Sequence, residues 1–279
     1  MLKRVSVIIT TRNEEANIGN CLDSIKKQNC LACEIEIIVV DNNSGDNTKE
    51  IARRYTDKVY NYGPERSTQR NFGVNKASGK YILYIDADMV LSENAISECL
   101  NKCDNVDMVA LYIPERISGK GFWVRARDFE RSFYNATVID CVRFIRRDKF
   151  FEIGGFDESL TGPEDWDFDR RIRQVGRVNI IKSPIYHCEG NFSLRKYLVK
   201  KAYYMNSFNS YINKWPANDL TIKKQLGFGY RMIGVFVENG KWKRLLRHPI
   251  LASKMFFLRF MLGFMYYIKR GFTKLCLSV

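Results

Sequence analysis

Two histidines, His187 and His248, are all that the 279 residues contain. Of eight cysteines only Cys30 and Cys33 form a C-x-x-C, and no second pair answers them. A structural zinc site made of Cys and His pairs is therefore excluded. The scattered thiols are expected to stay reduced, as in a cytosolic protein. Repeats and low-complexity stretches are missing. Val5-Ser6-Val7-Ile8-Ile9 is too short for a signal peptide and runs straight into a polar turn. Acidic residues are scarce in one place. From 191 to 279 there are 17 Lys and Arg against two acids, Asp219 and Glu238.

That segment holds the whole charge surplus. The chain carries +14 at neutral pH, so its first 190 residues are close to neutral. A neutral body with a basic end suggests an anionic partner, either lipid or nucleic acid. With 46% hydrophobic and 27% charged residues, the composition is that of a globular protein rather than a disordered one.

The periodicity predicts strands over 5–10, 35–40, 81–85, 106–113, 141–145 and 177–181. It predicts helices over 16–27, 48–55, 67–77, 95–103, 122–134 and 165–174. Apolar strands alternating with helices mean an α/β fold, a parallel sheet covered on both faces. Ligands of such sheets bind beyond the carboxyl ends of the strands. The polar turns after Thr10, Val40 and Ile85 should thus converge.

Three motifs stand at such positions. Asp86-Ala87-Asp88 offers hard oxygen ligands to Mg²⁺ or Mn²⁺, although D-x-D also occurs as a solvated turn. Asp41-Asn42-Asn43-Ser44-Gly45-Asp46 suits either a nucleoside or a helix cap. Glu164-Asp165-Trp166-Asp167 opens a helix, where acids favour the dipole but can also supply a general base.

Taken in order, five blocks resemble the family 2 glycosyltransferases of GT-A fold. They are Val7 to Glu15, Val39 to Thr48, Arg70 to Asp88, Gly154 to Asp157 and Glu164 to Asp167, and the resemblance covers residues 4–190. It implies a GT-A-type, Rossmann-like nucleotide-binding sheet in residues 1–190. The donor half would span about 1–113 and the acceptor half about 114–190. A basic, helical extension over 191–279 would follow.

The resemblance also implies roles. Thr10, Thr11, Arg12, Asn13 and Glu14 would line the nucleotide pocket. Asp41 and Asn43 would face the base, uracil or guanine, and Arg70 and Asn71 would lie near the donor. Asp86, Ala87 and Asp88 would approach the ribose and metal, with His187 a further metal ligand. Asp165 would be the general base, with Glu164 beside it. The implied activity is inverting, hexosyltransferase-type transfer from a UDP- or GDP-sugar in glycan biosynthesis. A Glu-Asp block argues for a hydroxyl acceptor, on a saccharide or lipid-linked saccharide.

The stretch 248–268 is rich in Phe, Met and Leu but interrupted by Lys254 and Arg259. That suits a helix lying on an anionic membrane better than one crossing it. The expected location is the cytoplasmic face of a membrane. The alternative for 191–279 is a helical cap on the body or on a second subunit. Rival functions are nucleic-acid binding through the basic end, a non-catalytic nucleotide-sugar-binding module, and a nucleotidyltransferase. Acids at the proposed site count against the first.

Overall fold

The computed structural model describes residues 3–31, 33–103, 107–216 and 218–276, with side chains described for all of these except 3, 191 and 266–276. Val106 of the expected fourth strand lies outside them. The strands are β1 (Lys3–Thr11), β2 (Cys33–Asp41), β3 (Val59–Asn61), β4 (Tyr81–Asp86), β5 (Met89–Leu91), β6 (Met108–Tyr112), β7 (Glu115–Lys120), β8 (Phe144–Arg146), β9 (Arg177–Ile180) and β10 (Ile185–Asn191). Seven form one sheet in the order β3-β2-β1-β4-β8-β6-β9. All run parallel except β8, which is antiparallel to both its neighbours. A second sheet, β5-β10-β7, carries the chain away from the first.

The central strands are apolar throughout because both faces are covered. Val5, Val7 and Ile9 of β1 join Ile37 and Val39 of β2 and Leu83 and Ile85 of β4 in one core. Helices α1 (Ile18–Lys26) and α4 (Ala95–Lys102) close it with Leu22, Ile25, Ile96 and Cys99. Between them, α2 (Thr48–Arg53) adds Ala52. Ile8, Ile38, Val40, Ile82 and Tyr84 point the other way, into a second core under α3 (Arg66–Lys76). The strand period of two thus sorts one apolar run into two cores.

Three further helices complete the body: α5 (Phe122–Arg131), α6 (Arg147–Glu152) and α7 (Glu164–Ile172). Sequence periodicity missed α6 and the strands β3, β5, β7 and β10: α6, β3 and β5 are brief, and β7 and β10 mix charged and glycine residues among few apolar ones. The strand expected over 141–145 begins later, at Phe144. Cys30 and Cys33, expected reduced, are joined as a disulfide, since the turn before β2 brings their Cα atoms to 5.6 Å. Cys21, Cys99 and Cys141 are free thiols, buried like Cys103.

From residue 194 the chain is helical: α8 (Leu194–Tyr204), α9 (Phe208–Asn213), α10 (Leu220–Leu226), a π turn at Tyr230–Gly234, α11 (Val235–Val237), α12 (Trp242–Arg247) and α13 (Pro249–Cys276). These helices share a core with the body, where Phe129 of α5 and Phe133 just after it meet Val235, Phe236, Ala252 and Met255. Arg259 is 5% exposed, and its guanidinium donates to Glu130 at 2.6 Å and to the Tyr134 hydroxyl. Lys214 likewise bridges Asp157 (2.7 Å) and Asp167 (2.9 Å). Part of the basic surplus is neutralised by acids of the body. No helix among the described residues is long and apolar enough to cross a membrane.

Gly73 lets α3 lie against β1. A Cβ there would come within 2.4 Å of Ile8 Cγ2 and 3.2 Å of Val40 Cγ2. Gly73→Val should therefore cost about 1–3 kcal/mol or more by overpacking, read as a lowered melting temperature. An unchanged melting temperature would mean that α3 sits further from the sheet than described.

Candidate active site

The polar ends of β1, β2 and β4 do meet. The Thr10 hydroxyl donates to Asp86 Oδ1 at 2.8 Å, and Ala87 N donates to Thr10 O at 3.1 Å. The register that pairs Thr10 with both Val40 and Asp86 dictates this. Thr11 is buried, and its hydroxyl oxygen has no hydrogen-bond partner among the described residues. Arg12 and Asn13 are exposed in the turn that follows.

That turn locks onto the one after β2. Asn13 N donates to Ser44 Oγ (2.8 Å), Gly45 N to Asn13 Oδ1 (2.9 Å) and Glu14 N to Thr48 Oγ1 (2.8 Å). Asn13 and Asn43 hold left-handed φ angles of 53° and 51°, a region asparagine tolerates better than most. Asp41 is fully buried and accepts from Ser44 N (2.8 Å) and the Ser44 hydroxyl. Its carboxylate shapes the turn in this conformation. Asn43 pairs with Asn61. Burial, then the neighbouring Asp88 and Asp86, raise the Glu14 carboxyl, against the hydrogen bond from Asn17.

Arg70 joins the end of β4 to the start of α7. It is 1% exposed, and it donates to Asp165 Oδ1 at 2.8 Å and to Asp86 Oδ1 at 3.3 Å. Its plane lies over the rings of Tyr84 (4.6 Å) and Phe156 (5.1 Å). One helical turn earlier, Arg66 donates to Glu164 Oε1 at 3.0 Å and lies 3.6 Å from Asp86 Oδ2. Burial works to raise the Asp86 carboxyl, but Arg70 and Arg66 outweigh it and hold it well below the usual range. Glu164 moves the other way, raised by burial and by Asp165 against the two arginines. Glu164 is sealed, its side chain 2% exposed, while that of Asp165 is 27% exposed. Asn71 is committed to the loop after α6. It donates to Phe156 O (2.9 Å) and Glu158 Oε1 (2.8 Å) and accepts from Phe156 N (2.9 Å).

Asp86 and Asp88, one residue apart, face different partners. Asp88 Oδ2 lies 3.0 Å from His187 Nε2, and His187 Nδ1 lies 3.3 Å from Glu115 Oε1. The antiparallel pairing of His187 with Met89 and the bond from Cys188 N to Asp88 O (2.8 Å) set this geometry. Burial opposes a charged imidazole, yet Asp88 and Glu115 push His187 up to about 10. Burial tends to raise Glu115, but Arg131, His187 and Arg143 hold it well below its ordinary value.

Asp88 Oδ1 is buried without a hydrogen-bond partner among the described residues. An unsatisfied carboxylate oxygen beside an imidazole fits a divalent cation. Among the described residues no three His, Cys, Asp or Glu side chains converge as a ready set of ligands. Asp88 and His187 would supply two, and a bound diphosphate would supply others, as Mg²⁺ commonly prefers. Arg66 and Glu115 were not found by sequence reasoning. The four-residue spacing from Arg70 on one helix was a usable signal for Arg66. Nothing local marks Glu115.

Residues 6–162 match the model of the family described as Glycosyl transferase family 2. The chain belongs to that family. The match ends two residues before Glu164. The minor teichoic acid biosynthesis protein GgaB of Bacillus subtilis is 28% identical over 202 residues, which is 65% of this chain but 22% of GgaB. Two solved structures show the same GT-A fold at low identity. The Pyrobaculum calidifontis mannosyltransferase PcManGT, in complex with GDP-Man and Mn²⁺, has a TM-score of 0.62 at 17% identity, covering 99% of this chain and 81% of its own. S. aureus TarS in complex with UDP-GlcNAc has a TM-score of 0.57 at 19% identity, covering 89% and 78%.

Arg70→Met would strand Asp86 and Asp165 without their shared cation. The expected loss is roughly 3 kcal/mol, the lower end for breaking a buried pair because both aspartates keep some solvent. Chemical denaturation measures it, and a loss near zero would show that the bridge does not hold the two halves together.

Proposed function

We propose that this family 2 protein is an inverting glycosyltransferase. It moves a sugar from a UDP- or GDP-linked donor to a hydroxyl of a saccharide or lipid-linked saccharide. The observation that carries this reading is the Arg70 bridge, which holds Asp86 and Asp165 on one guanidinium. A donor bound beside Asp86 and an acceptor bound beside Asp165 would then face each other.

Asp165 is the general base in this reading, because its side chain is partly open to solvent whereas Glu164 is sealed. The carboxylate takes the acceptor proton as its oxygen attacks the anomeric carbon. The bond to the diphosphate breaks on the opposite face, so the centre inverts. Asp88 and His187 would hold Mg²⁺ or Mn²⁺, which when bound neutralises the diphosphate and stabilises the leaving group. Thr11, with its unpartnered hydroxyl, and Arg12 would contact the nucleotide. The complexes of PcManGT with GDP-Man and Mn²⁺ and of TarS with UDP-GlcNAc make both bases worth testing.

The reading extends to a membrane surface. One face of α13 buries Ala252, Met255, Leu258 and Arg259. Its opposite face exposes Ile250 (68%), Phe257 (49%), Phe260 (63%) and Phe264 (57%). These four recur at helical spacing as one stripe with exposed Lys254 among them. An apolar stripe set among cations suits an anionic bilayer.

A thermal-shift panel of UDP-, GDP- and TDP-sugars with and without Mn²⁺ tests the donor site. Stabilisation by one nucleotide class, larger with Mn²⁺, is expected. Asp165→Asn should lower turnover about 100-fold or more with donor binding kept, while Asp88→Ala should remove the Mn²⁺-dependent part of donor binding. Near-normal turnover of Asp165→Asn would refute the base. In a separate test, wild-type protein should sediment with phosphatidylglycerol-containing vesicles and not with pure phosphatidylcholine. A Phe260→Glu, Phe264→Glu double variant should stay in the supernatant, and equal sedimentation of both proteins would remove the membrane reading.

A further inference from the structure

Beside Tyr204 and Trp166 stand cations that no acid among the described residues balances. Lys201 of α8 holds its ammonium 5.8 Å from the ring centres of both Tyr197 and Tyr204. Tyr204 in turn lies under the Arg66 guanidinium at 5.2 Å, and Arg66 holds Glu164. Arg231 lies 5.7 Å from the ring of Trp166, the residue after Asp165. Arg127 stands over Tyr197 at 4.5 Å. The cluster therefore borders the Glu-Asp motif and not merely the outer surface.

Nearby acids are already taken. Arg127 pairs with Glu189, and Arg259 pairs with Glu130 at 2.6 Å. Among the described residues Lys201 and Arg231 have no side-chain hydrogen bond or ion pair, though both are at least half-buried. Burial, Arg127 and Arg231 push Lys201 down to about 7, and burial and Arg259 lower Arg231. Uncompensated cations crowded together cost stability. Lys201, Arg231, Arg127 and Arg259 stand against only Glu189 and Glu130, an excess of cationic donors that suits a phosphate group. A guanidinium and an ammonium are the donors such a group takes.

We propose that Lys201 and Arg231 bind a phosphate group carried by the acceptor, beside the hydroxyl that Asp165 deprotonates. This rests on the reading of Asp165 as the acceptor-side base. The donor diphosphate is the other source of the same chemistry. Lys200 feels the charge of Glu14 on the nucleotide side, whereas Lys201 faces Arg127 and Arg231.

The test is a titration with glycerol 3-phosphate, with glycerol as the neutral control, on protein saturated with its nucleoside diphosphate and Mn²⁺. Wild-type protein should bind glycerol 3-phosphate and not glycerol. Lys201→Met and Arg231→Gln should each bind it about tenfold more weakly, the value of one charge-assisted hydrogen bond. Their nucleotide affinity should be unchanged. Lys201→Met should also melt no lower than wild type without phosphate, since it removes a buried charge, and this separates lost binding from lost folding. Absent glycerol 3-phosphate binding, binding equal in wild type and both variants, or displacement by the nucleotide would overturn the proposal. So would variants that weaken the nucleotide instead, which would assign the cations to the donor. Failure of the wider functional reading appears separately, as absent nucleotide binding or an active Asp165→Asn.

Discussion

One guanidinium decides how the halves of this protein meet. Arg70 is buried on α3, stacked between Tyr84 and Phe156, and shared by Asp86 and Asp165. Two carboxylates this near each other would repel, and a buried arginine without acids would be expelled. Together they are stable only in this arrangement. The end of β4 and the start of α7 are thereby fixed to each other, and Arg66 repeats the device one turn away with Glu164 and Asp86.

A second constraint works through β10. It lies in the small sheet between β5 and β7, so it carries His187 to Asp88 on one side and Glu115 on the other. The two acids of the D-x-D motif thereby acquire different surroundings: cations and a hydroxyl at Asp86, and an imidazole with one unsatisfied oxygen at Asp88. Adjacent positions in sequence are separated in chemistry because a reversal of the chain falls between them.

The C-terminal helices change the meaning of the charge imbalance. Arg259 and Lys214 neutralise Glu130, Asp157 and Asp167 of the body. The halves look segregated along the chain because their ion pairs run between them. What is left over includes an apolar stripe on α13 with exposed Lys254 in it, and Lys201 and Arg231, which have no ion pair among the described residues.

Periodicity alone placed β1, β2, β4 and the helices between them, because strands buried on both faces are written as continuous apolar runs. Order and spacing of the polar blocks marked the ends of those strands and the family to which the chain belongs. The short elements β3, β5 and α6 left no period to read, and β7 and β10, with charged residues and glycine among few apolar ones, left no apolar run. Arg259 looked like an interruption and Glu115 like nothing at all, since their partners lie 129 and 72 residues away. The sequence therefore determined the sheet, the polar turns and the candidate residues, all of which depend on local pattern. Tertiary structure alone decided which carboxylate meets which cation and which charges stay unpaired, because those pairings are made between segments far apart in the chain.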